Sequence, residues 1–123
     1  MGVDIPEKIL LVDDDANNLA ALAGFLRAKG YKVAEACDGS EAAELLKKDE
    51  FDLILSDVLM PGVDGLQLLQ FIRSFRHSLP VLFMSAPGTI NGTQAVEQAA
   101  THLISKPVNP EELLSKLKLL LAR

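Results

Sequence analysis

The sequence predicts an α/β domain built on a parallel sheet. Three observations carry that expectation. Short, almost unbroken apolar runs recur along the 123-residue chain. A stretch with apolar residues at helical spacing follows most of these runs, and glycine, proline or a capping residue stands at most of the junctions. Strands that are apolar throughout belong in a sheet covered on both faces, and a helix after each strand is the crossover that parallel pairing requires.

Ile9 to Val12 forms the first run, broken by Asp13-Asp14-Asp15. A helix is expected from about Asn17 to Lys29, where Leu19, Leu22, Ala23 and Leu26 recur at helical spacing. Asp15 reads as an acid near that helix's N-terminus. Gly30 comes next, where a helix C-cap favours a left-handed residue. Residues 31 to 36 suit a short second strand, and Asp38-Gly39-Ser40-Glu41 reads as the capping box of a helix to about Lys48.

Leu53-Ile54-Leu55 is the third strand, ending at Ser56-Asp57. Met60-Pro61-Gly62 and Asp64-Gly65 are turn chemistry, and an amphipathic stretch runs from Leu66 to Phe75. Pro80 opens the fourth strand, Val81 to Met84, which ends at Ser85. Gly88 and Gly92 loosen the next segment, and Asn91 to Gln94 can cap a short helix to Ala100. The last strand, His102 to Ser105, ends at Lys106-Pro107; Asn109, Pro110 and Glu112 then start a helix to about Ala122. With right-handed crossovers, β-α units in this order give a single-domain, doubly wound (βα)5 flavodoxin-like fold. Its five-stranded parallel sheet has the order 2-1-3-4-5. One domain is expected over 1–123, with its core from about 8 to 122 and residues 1–7 as an N-terminal extension.

Composition narrows the function. Hydrophobic residues make up 49% and charged residues 24%, which excludes a disordered chain. Twelve basic against 17 acidic residues give a net charge of −5, against direct nucleic-acid binding. A lone cysteine, Cys37, rules out an internal disulfide and fits a reducing, cytoplasmic setting. Cys37 itself reads as a small packing residue at a strand end. No apolar run approaches the roughly 20 residues that span a bilayer, so no membrane insertion is expected. The acidic, proline-bearing N-terminus is not a signal peptide.

Polar residues stand at the carboxyl ends of four expected strands: Asp13 and Asp14, Asp57, Ser85, and Lys106. In an open parallel sheet those ends share one edge, where ligands bind. Gathered carboxylates repel one another, and burial raises their pKa values. A hard divalent cation such as Mg²⁺ relieves that repulsion through oxygen ligands. A carboxylate is also a nucleophile that can form an aspartyl-phosphate. Mg²⁺, a lysine ammonium and a hydroxyl are the stabilisers that a phosphoryl group in transfer needs.

The segments LLVDDD, LILSDVLMPGVDG, FMSA and SKP, in this order from about Lys8 to Ala122, resemble the signatures of response-regulator receiver domains of two-component signalling. The resemblance implies that Asp57 is the phosphoacceptor, supplied by a histidine kinase or a histidine phosphotransfer protein. It implies that Asp14 binds Mg²⁺ directly, Asp13 mainly through water, and the Leu59 main-chain carbonyl as a further ligand. Ser85 would donate to a phosphoryl oxygen, and Lys106 would pair first with the carboxylate and then with the phosphoryl group. A cis Lys106–Pro107 peptide is implied as well. Such a domain assists its own phosphorylation and dephosphorylation but is not an enzyme, and it drives an output domain or partner protein that its sequence does not name. Phosphorylation would change the loop after the fourth strand and the partner-binding surface near it. The family usually carries Tyr or Phe three residues before the lysine, where this chain has Leu103. Serine at 85 replaces the commoner threonine, and Pro87 stiffens the loop after it.

Other readings are weaker. A haloacid-dehalogenase-type phosphatase needs a second acid two residues after the nucleophile, and here that residue is Leu59. A flavin phosphate would be repelled by three aspartates after the first strand. A receiver-like docking domain that is never phosphorylated would have no need of so complete a pocket. His77 and His102 read as surface or strand-edge residues, and Phe25, Phe51, Phe71, Phe75 and Phe83 as core.

Overall fold

The computed structural model describes residues 6–57, 65–75, 78–85 and 102–122. These form β1 (Lys8–Val12), α1 (Ala16–Ala28), β2 (Lys32–Ala36), α2 (Gly39–Lys48), β3 (Leu53–Asp57), α3 (Gly65–Phe75), β4 (Val81–Ser85), β5 (His102–Ser105) and α4 (Pro110–Leu121). All four strand pairings are parallel, and the sheet order is β2-β1-β3-β4-β5. That is the doubly wound, flavodoxin-like order expected from the sequence. The expected helix at 94–100, the turns at 60–64, Gly88, Gly92, Pro87 and His77 lie outside the described residues.

Side chains alternate across the sheet, and the alternation sorts the apolar runs into two cores. On one face Leu10, Val12, Ile54 and Phe83 pack with Leu46 of α2 and Ile72 of α3. On the other, Ile9, Leu11, Leu55 and Met84 pack with Leu26 of α1 and Leu117 of α4. All five residues of β3 are buried. Each fully buried aliphatic side chain contributes on the order of 1.5–3 kcal/mol. Phe51 and Phe83 are buried in the first core; Phe71 and Phe25 are half-buried against the first and second. The side chain of Phe75 lies outside the described set.

The helix ends obey the capping residues. Asp15 caps α1, its Oδ1 accepting the N–H groups of Asn17 and Asn18 at 2.9 and 3.2 Å. Asn109 caps α4, accepting the Glu112 N–H at 2.9 Å, with proline in the first turn. Asp38 caps α2, accepting the Glu41 N–H at 2.7 Å. Glu41 reaches back to the N–H of Cys37 at 2.7 Å, one residue before the cap. Gly30, at φ 97°, takes the left-handed conformation that ends α1.

Two expectations need correction. Cys37 is exposed rather than packed. The last inward side chain of β2 is Ala36, and the chain then turns out into the α2 cap. The near-continuous apolar pattern holds for the inner strands but not for β2, an edge strand that exposes Lys32 and Glu35. Arg27 of α1 lies across that edge, pairing with Glu35 at 2.9 Å and donating to the Val33 carbonyl at 2.9 Å.

Candidate functional site

Sheet register brings the strand-end residues together. Val12 pairs with Ser56, Asp57 with Met84, and Ser85 with Ser105. Asp13, Asp57, Ser85 and Lys106 therefore stand along one edge of the sheet. The N–H of Lys106 donates to the Ser85 carbonyl at 2.9 Å, which ties the residue bearing the ammonium to the end of β4. The Lys106–Pro107 peptide is cis, as the sequence resemblance implied.

Asp57 is 8% exposed, and its Oδ2 lies 2.6 Å from the Lys106 ammonium. Asp13 is 1% exposed. Its Oδ1 accepts the Asp15 N–H at 2.9 Å, while its Oδ2 is buried with no hydrogen-bond partner among the described residues. Asp14 is exposed. One carboxylate oxygen from each of Asp13, Asp14 and Asp57 lies within 4.8 Å of the other two. No other group of three His, Cys, Asp or Glu side chains among the described residues is so placed to share an ion.

Burial raises the pKa of Asp13 above the ordinary carboxylate value. The Asp15 N–H and the Lys106 ammonium oppose that rise, and the charges of Asp57 and Asp14 add to it. Three acids beside one ammonium leave negative charge in excess. An orphaned carboxylate oxygen in that setting is a ready ligand for a hard divalent cation, directly or through its water. The donor set thus fits Mg²⁺. The Leu59 carbonyl, expected as a further ligand, lies outside the described residues.

A cleft of about 540 Å³ opens beside these residues, with Asp13, Asn18 and Lys106 as its polar wall and Ala21, Leu22, Met84 and Val108 among its apolar lining. Half-buried Leu103 pairs in register with Phe83 and packs against the first core.

A family model described as the response regulator receiver domain matches residues 9–118. The chain belongs to this family. The response regulator MprA of Mycolicibacterium vanbaalenii is 37% identical over 120 residues, 97% of this receiver and 52% of that protein. The regulatory protein VanRc of Enterococcus gallinarum is 36% identical over 118 residues, 95% of this receiver and 51% of that protein. The chain spans about half the length of both relatives. Among solved structures, the Vibrio cholerae chemotaxis protein CheY4 has a TM-score of 0.87 at 33% identity, covering 94% of this receiver and 99% of that chain. A CheY-like receiver domain protein from Methanospirillum hungatei has a TM-score of 0.89 at 29% identity, covering 95% and 94% of the two chains.

The receiver thus sets Lys106 against Asp57, gathers Asp13, Asp14 and Asp57 within 4.8 Å of one another, and places Ser85 at the neighbouring strand end. Sequence reasoning passed over three features. The cleft draws on α1 and on residues 107 and 108, which no short motif joins. The unpartnered oxygen of Asp13 depends on side-chain packing. Ser56, a buried hydroxyl next to Asp57, did leave a signal: it interrupts the apolar run LILSD.

Proposed function

We propose that this receiver is a phosphoryl-accepting switch in which Asp57 takes a phosphoryl group from a histidine kinase or a histidine phosphotransfer protein. The observation that carries this reading is the Asp57 carboxylate, almost buried, 2.6 Å from the Lys106 ammonium and grouped with Asp13 and Asp14. An Asp57 oxygen forms a bond to phosphorus as the donor's P–N bond breaks, and the electron pair leaves with the imidazole. Lys106 holds the carboxylate in place beforehand and then pairs with a phosphoryl oxygen. The Ser85 hydroxyl donates to another. Asp14, Asp13, Asp57 and the Leu59 carbonyl would hold Mg²⁺, which when bound offsets the charge on the carboxylates and the transferred group.

The domain works as a stoichiometric acceptor rather than a turnover enzyme, and residues 1–123 act as one receiver unit in the cytoplasm. The signal passes through the loop after β4 to a partner surface, and the output lies with an effector domain or partner protein. A hydrolytic enzyme of the haloacid-dehalogenase type is disfavoured by leucine at 59. Incubation with acetyl phosphate and Mg²⁺, followed by intact mass measurement, tests the reading. One phosphoryl group should add to the wild type and none to Asp57→Asn. An equal gain in that variant would overturn the assignment.

A further inference from the structure

We propose that Ser56 is a positioning residue for phosphoryl transfer, fixing through its hydroxyl the main chain of the residue that carries the accepting carboxylate. The inference rests on Asp57 as the phosphoacceptor. Ser56 is fully buried, and its Oγ donates to the Asp57 carbonyl at 2.9 Å. Successive strand residues project to opposite faces, so Ser56 points with Ile54 toward the core of Leu10, Val12 and Phe83. Its hydroxyl therefore lies on the far side of the sheet from the carboxylate and acts on it only through the backbone.

Serine is a costly choice at this position. Its register partners are Val12 and Phe83, and a β-branched apolar residue would suit such a strand better. A buried hydroxyl must also find a partner. It finds one where the β1–β3 pairing ends. Pairing of β1 with β3 ends at Val12 and Ser56, while β3 continues to Asp57. Just past that last pair, the N–H of Asp13 turns to the Ala36 carbonyl of β2. Asp57 still pairs with Met84 of β4, but its carbonyl lies past the last β1–β3 pair, and the Ser56 hydroxyl holds that carbonyl there.

The carboxylate is mounted on that main chain. Its 2.6 Å contact with Lys106 and its grouping with Asp13 and Asp14 both require it to stay in one place. Displacements of an ångström in a reacting group have large effects on rate. A hydroxyl that served packing alone would show itself in stability only; a positioning hydroxyl shows itself in rate as well.

Ser56→Ala and Ser56→Thr separate these roles. With acetyl phosphate and saturating Mg²⁺, Ser56→Ala should lower the maximal phosphorylation rate by about three- to tenfold, the scale of one lost hydrogen bond. Its half-saturating donor concentration should stay within about twofold of wild type, and Ser56→Thr should restore the rate; the buried Asp57 carbonyl, left without its donor, should also lower the melting temperature of Ser56→Ala. Equal rates in wild type and Ser56→Ala would overturn the inference. So would a Ser56→Thr that restores the melting temperature but not the rate, because the hydroxyl would then be structural only. A wild type that gains no phosphoryl group would instead refute the role of Asp57 itself, and this inference with it.

Discussion

Phe83 and Leu103 face each other in register across β4 and β5, the aromatic fully buried and the leucine half-buried against it. The larger side chain of this pair is locked in the core, and the one nearer solvent is small. A ligand shifts a conformational equilibrium only by its differential affinity for the two states. A leucine that changes rotamer here moves little surface.

Strand β5 is therefore expected to stay silent when beryllofluoride and Mg²⁺ mimic the phosphorylated state. Amide exchange at 102–105 should change by less than about twofold, with the largest response in residues 85 to 94. A dominant response in β5 and the exposed face of α4 would contradict this.

Asp13 makes the metal-free fold sensitive to pH. Its folded-state pKa is raised, chiefly by burial. A raised carboxyl pKa means that the folded state binds the proton more tightly than the unfolded chain. Stability is then highest below the unfolded pKa and is lost as pH rises through the folded value. Without metal, Asp13→Asn should be more stable than wild type at pH 7 by about 1–2 kcal/mol, because it removes a buried charge repelled by Asp57 and Asp14. The gain should vanish as pH falls below the ordinary carboxylate value. Denaturant melts across that range would read it, and a gain independent of pH would sink the explanation.

Mg²⁺ should raise the melting temperature of the wild type. Binding to the native state alone stabilises it by about 2.7 kcal/mol at one hundred times the dissociation constant. Asp14→Asn removes a carboxylate from the shared cluster, so it should flatten this response while relieving repulsion in the apo form. A wild-type curve that ignores millimolar Mg²⁺ would count against the site.

Lys106→Met should leave the Asp57 carboxylate without its ammonium. Phosphorylation from acetyl phosphate is expected to fall by about a hundredfold, as when one preorganised donor is lost from a site of charge development. Lys106→Arg should recover little, because a planar fork does not replace a compact ammonium at 2.6 Å. Full activity in Lys106→Met would remove Lys106 from the mechanism, and full activity in Lys106→Arg would show that any cation serves there.

The fold was legible because its signals are local. Apolar runs mark the inner strands, and Asp15, Asp38 and Asn109 announce the helices that they cap. The placement of the candidate site was legible because a parallel sheet carries all its carboxyl ends to one edge, so residues as distant as Asp57 and Lys106 meet without any local cue to their contact. What escaped depends on packing. Cys37 stands one residue past a strand, and only the turn into α2 decides which way its thiol faces. Ser56 looks like any small polar residue until its register partners and its bond to Asp57 are known.

Arg27 has a colloidal consequence. The Lys32 N–H and the Ala36 carbonyl bond inward, to Glu7 and Asp13, so the alternate residues Val33 and Glu35 turn their main-chain groups outward. An open strand of this kind is a template on which other copies can polymerise. By occupying the Val33 carbonyl and pairing with Glu35, the guanidinium of Arg27 acts as a terminator of sheet growth. Arg27→Ala, a change on α1 away from the strand ends, is therefore expected to lower the protein concentration at which light scattering rises.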